Sequence, residues 1–264
     1  MQRRTFLAAS LAASAAAMGR GVQAESEGIG TREFYQLRCY RMQTGPQTQL
    51  TERYFAEALM PALGRLGMGP VGAFKLDIGP ETPTFYLLIP STSVEKLATL
   101  DLRLAKDAEF LSAAQPFWSA PATAPAFLRV ESTLLAAFEG WPKLVPPPSS
   151  ATKAKRIFQL RTYESPSYQD HVRKVEMFHH GEFEIFKNAG CHPVFFGDEV
   201  IGARMPCLTY MLSFADLAEL TEHWAAFGND PEWKKLKASP RYAYEEIVSN
   251  ITNLVLSPLA SSQI

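Results

Sequence analysis

Gln159, Arg161 and Tyr163 alternate along one short segment, and a strand there would carry all three side chains on one face. The same triplet stands about 123 residues earlier as Gln36, Arg38 and Tyr40. A guanidinium keeps its charge in a protein and must be answered by a carboxylate, a phosphate or water. Two readings follow. Either the triplets line a polar pocket for an anionic or carbonyl-bearing small molecule, or their arginines form structural salt bridges between two parts of the molecule. With Phe158, Leu160 and Thr162 taken as the face beneath the helices, the polar triplets are expected to point into a space between two sheets.

A second group lies in the segment that follows. Val172, Val175, Phe178, Phe183, Ile185, Phe186 and Ala189 fall on one side of a helix, and Glu182 sits within that apolar stripe. A carboxyl so placed is pushed upward in pKa unless paired, which suits a general acid or base, and His179 is its neighbour three residues earlier. The alternative is a satisfied structural pair. Gly181 between them can bend the helix and move both faces. All five histidines, His171, His179, His180, His192 and His223, belong to the second half of the chain, but two ligands do not make a zinc site. No cofactor is identified by these residues. Trp224, Phe227 and Trp233 stand at helical spacing and read as core rather than as an aromatic ligand box.

The elements that position these groups repeat. Residues 35–40 read YQLRCY and 158–163 read FQLRTY; at the same shift GMGPV answers GCHPV, and DAEF answers DPEW. Two copies of such length describe a duplicated domain rather than a solenoid. Each copy runs strand, helix, two strands, helix, strand, the ferredoxin-like βαββαβ order of an α+β fold. The second helix is expected to be capped at Asp216, with Glu219 three residues on, and in the first copy at Thr92, with Glu95. Pro146, Pro147 and Pro148 mark an extended linker over 141–154 between domains at 31–140 and 155–264. A four-stranded sheet with both helices on one side leaves the other side bare, so the two copies are expected to pair as a barrel-like pseudo-dimer.

With 47% hydrophobic residues the chain can bury a sizeable core, and a net charge of -1 supplies no basic field for nucleic acid. Cys39, Cys191 and Cys207 show no zinc-type spacing. Arg3 and Arg4 precede an alanine-rich apolar run and a small-residue site ending at Ala24. This order predicts a twin-arginine signal over 1–24 and a periplasmic or extracytoplasmic mature protein, the run being too short for a stable membrane anchor.

QLRTY at 159–163, GEFEIFKNAG at 181–190, LTYML at 208–212 and WAAFGNDPEWKKL at 224–236 resemble the NIPSNAP family, within the dimeric α/β-barrel superfamily. The first copy is degenerate, since Asp107–Phe110 lacks the proline and tryptophan of Asp230–Trp233. The resemblance implies the fold and a tendency of domains to pair, and it assigns no reaction. Haem-degrading oxygenases and small-molecule isomerases share the superfamily, so a haem-related or oxygenase-type enzyme is one alternative to simple ligand binding. A non-catalytic scaffold for partner proteins or homo-oligomers is the other.

Overall fold

Runs rich in β-branched and aromatic residues, ended by glycine, proline or acidic caps, become eight antiparallel strands. They are β1 (Phe34–Arg41), β2 (Gly72–Ile78), β3 (Thr84–Ser91), β4 (Arg129–Ala137), β5 (Ile157–Glu164), β6 (His192–Ile201), β7 (Cys207–Phe214) and β8 (Asn250–Pro258). The computed structural model describes residues 32–264, which pack as one unit. The expected signal over 1–24 lies outside the described residues. No helix among the described residues is long and apolar enough to cross a membrane.

The strands close into a single barrel in the order β1-β3-β2-β8-β5-β7-β6-β4. Each half contributes a run of four: β4-β1-β3-β2 from the first, β8-β5-β7-β6 from the second. Corresponding pairs share one register, with Arg38 opposite Leu87 and Arg161 opposite Tyr210. The halves meet at their edges, β2 on β8 and β4 on β6, and both seams carry a register shift. Closure removes every free edge of the sheet.

Three apolar cores result. One fills the barrel with Tyr35, Phe74, Phe158, Leu160, Phe195 and Met211, and one lies under the helices of each half. This arrangement corrects the expected facing of the strands. Phe158 and Leu160 point into the barrel, whereas Tyr163 and Tyr210 belong to the core beneath the second-half helices. In the first half Tyr35 likewise points inward and Tyr40 outward. The physical reason is size, because an eight-stranded barrel has an interior just wide enough to be filled by side chains, and apolar ones fill it best. Gln159, Arg161 and Tyr163, with Gln36, Arg38 and Tyr40, therefore face the helices and not a space between sheets.

The helix ends follow their caps. Asp216 accepts from the amides of Ala218 and Glu219, and Asp230 from those of Glu232 and Trp233. In the first half Ser93 rather than Thr92 is the capping residue, accepting from the Lys96 amide. Both long helices contain one wide turn at the same position of the repeat. The Met60 amide reaches back five residues to the Phe55 carbonyl, and the Phe183 amide reaches the Phe178 carbonyl. In the second half this turn holds Gly181 at φ 153°, a value that side-chain-bearing residues rarely adopt. The proline-rich connection is fastened down rather than extended throughout. Leu144 enters the barrel core, the Val145 amide bonds the Val194 carbonyl at 2.8 Å, and Pro148–Thr152 form a short helix.

Candidate functional site

Strand alternation brings Gln159, Arg161 and Tyr163 to the outer face of β5, and pairing with β7 sets Tyr210 beside Arg161. Arg161 is half-buried. Its Nη2 donates to the Tyr163 hydroxyl at 2.9 Å, which bonds the Tyr210 hydroxyl at 2.9 Å. The guanidinium lies 4.2 Å from the centre of the Trp224 ring, a cation–π arrangement. Trp224 is held in turn by donating its indole N–H to Gln159 Oε1 at 2.6 Å. The Arg161 Nε is buried without an acceptor, and among the described residues no carboxylate oxygen lies within 4.0 Å of the guanidinium.

Beside this group Lys174 and Glu182 form a fully enclosed ion pair, their side chains 0% and 2% exposed. Lys174 also faces the rings of Phe178 at 4.5 Å and Tyr244 at 5.1 Å. Burial pushes the Glu182 carboxyl above the usual carboxylate range, while the Lys174 ammonium and the more distant Arg161 guanidinium pull it back. Burial likewise raises the Tyr210 and Tyr244 phenols, so both remain neutral hydroxyls able to donate. The nest thus holds two cations to one carboxylate.

Residues 158–263 match the NIPSNAP family model. The second half of the chain is a NIPSNAP domain.

Set against the first half, the NIPSNAP domain differs where the charge is. Arg38 is answered by Asp101, which accepts from its Nη1 at 2.9 Å, and Asp101 holds the place in its half that Trp224 holds in the NIPSNAP domain. Gln36 accepts from Arg38 Nε at 3.1 Å and donates to Ser132. Thr51, Leu59 and Leu87 occupy the places of Lys174, Glu182 and Tyr210, so the first-half counterpart of the nest is closed electrostatically and largely apolar.

The structure brings Gln159, Arg161, Tyr163 and Glu182 into one neighbourhood and leaves His179 out of it. The His179 Nδ1–H donates to the Val175 carbonyl at 2.9 Å and its Nε2 accepts from the Gly140 amide at 3.0 Å. The ring is thereby fixed against the connection between halves. His171 bonds Asp198 at 2.7 Å, elsewhere on the domain. Lys174, Tyr210, Tyr244 and the role of Trp224 escaped sequence reasoning. Lys174 has a signal only in retrospect, as a lysine eight residues before a carboxylate on the same helix. Among the described residues no group of three or more His, Cys, Asp or Glu side chains is placed to hold a metal ion.

The barrel resembles several known structures. A protein from Lactobacillus acidophilus NCFM described as a "putative monooxygenase" aligns with TM-score 0.57 at 8% identity, over 86% of this chain and 94% of its own. One of the same description from Fusobacterium nucleatum gives TM-score 0.54 at 8% identity over 86% and 93%. These likenesses show the fold alone. An uncharacterized NIPSNAP-like domain protein from Burkholderia xenovorans is 16% identical over 40% of this chain and 86% of its own, with TM-score 0.36. No curated protein sequence matches the chain significantly.

Proposed function

We propose that this protein binds a small anionic molecule in the NIPSNAP half, at Arg161, between the barrel wall and the helices that cover it. The observation that carries the reading is the charge count of the nest, where Lys174 and Glu182 answer each other and Arg161 is left with aromatic rings and hydroxyls alone. A half-buried guanidinium without a carboxylate favours a ligand carboxylate, enolate or phosphate. The Trp224 ring edge and the Tyr163 hydroxyl would orient a planar anion, and the Gln159–Trp224 bond holds that ring in place. Glu182, raised by burial and linked to Lys174, is the group available to exchange a proton there. The molecule is best understood as two ferredoxin-like halves, of which the first has become a structural partner and the second retains the site. Fold-level likeness to monooxygenase-type proteins supports small-molecule chemistry on this barrel and transfers no residue role.

Native mass spectrometry of the full chain, purified without denaturation, tests the proposal. The expected result is a co-purifying anion retained by the wild type and lost from Arg161→Ala, since a charge-assisted bond of about 1.5 to 3 kcal/mol is removed. Equal retention by both would overturn it.

A further inference from the structure

The inner face of the barrel, which the nest does not use, opens at one end into a cavity of about 350 Å³. Leu37, Leu160 and Leu254 line its apolar part, and the hydroxyls of Thr162, Thr209 and Thr252 ring the rest. Both halves contribute, so the cavity exists only because the barrel closes. Its two arginines are already answered. Arg41 is clasped by Glu81 and by Glu131 at 3.1 Å, and Arg204 donates to Thr252 at 2.8 Å with Glu164 at 3.8 Å.

Glu199 is different. It lines the cavity at 8% exposure, yet among the described residues no cation lies within 4.0 Å of its carboxylate. The hydrogen bond it accepts comes from the Cys207 thiol at 3.0 Å, and a thiol is a weak donor. Buried carboxylates are ordinarily paired with a cation or several strong donors, because leaving water is otherwise too costly. Thr162 and Thr209, which both line the cavity, bond each other at 2.8 Å, and each hydroxyl oxygen keeps acceptor capacity beyond that bond.

We infer that the barrel mouth is a second binding site, selective for a small organic cation, a protonated amine whose ammonium pairs with Glu199 and whose apolar part lies on Leu37, Leu160 and Leu254. The volume is that of roughly ten water molecules, which suits an amine of about ten heavy atoms.

Calorimetric titration of the full chain with phenethylammonium, phenylacetate and 2-phenylethanol compares cation, anion and neutral probe at one size. Phenethylammonium is expected to bind with Kd below about 1 mM, and about tenfold or more tighter than the other two. Glu199→Gln should weaken it by about tenfold at an unchanged melting temperature, and Arg161→Ala should not. Should Glu199→Gln fail to fold, Thr209→Leu narrows the cavity while keeping the carboxylate and should abolish binding. Equal binding of phenylacetate, unchanged binding by either cavity variant, or no saturable binding of the amine would each overturn the assignment.

Discussion

At the scale of single residues, Arg161 outside the barrel wall and Glu199 inside it each lack an oppositely charged side chain within 4.0 Å among the described residues. The paired charges are as informative. Because Lys174 and Glu182 are enclosed together, removing one strands the other, and Lys174→Met should destabilise the fold by about 3 to 5 kcal/mol. The loss should depend on pH in a stated sense. Without Lys174 the Glu182 carboxyl rises further above its unfolded value, so its contribution is fully present below the unfolded value and is lost as pH rises through the folded one. Urea denaturation at pH 5 and pH 8 should therefore find the variant closer to wild type at pH 5; an equal or smaller deficit at pH 8 would refute the account. Glu182 was legible in the sequence as a carboxylate inside an apolar stripe. Its partner was not, because Lys174 and Glu182 are joined across a wide turn that re-phases the helix, whereas regular helical spacing pairs Glu182 with His179.

At the scale of elements, alternation correctly grouped the side chains of β5 and could not say which group faces the barrel. Polar residues such as Arg161 look misplaced under a helix, and the expectation sent them inward. The barrel interior imposes the opposite choice, since it is the more confined of the two spaces. Capping was more readable, with Asp216 in its expected role and the first-half cap displaced by one residue to Ser93. The wide turn of the NIPSNAP helix depends on Gly181, whose φ of 153° is strained for any residue with a Cβ. Gly181→Ala should cost about 1 to 3 kcal/mol in chemical denaturation, and an unchanged midpoint would show that the turn relaxes freely.

For the whole molecule, the repeat in the sequence anticipated the two runs of four strands, which the structure joins in one closed eight-stranded barrel. What the sequence could not reveal is that the halves join edge to edge as well as face to face, because β2–β8 and β4–β6 pairing unites segments with no shared pattern. Residues 155–264 expressed alone would expose the edges of β6 and β8 together with Phe158, Leu160, Met211 and Leu256. Light scattering should find that fragment dimeric or aggregated, and a soluble monomer would contradict the dependence of one half on the other. The same asymmetry defines the proposed function, because Asp101 closes the first half and Trp224 leaves the second open.

The most direct test supplies that missing carboxylate. Benzoate, a planar aromatic anion, should bind the wild-type chain in a calorimetric titration. Binding should fall roughly tenfold to hundredfold in Arg161→Ala, and comparably in Trp224→Asp, which gives Arg161 an internal partner like the one Asp101 gives Arg38. Benzoate binding that is absent from the wild type, or equally tight in Arg161→Ala, would contradict the claim that the unanswered guanidinium of the NIPSNAP half is a ligand site.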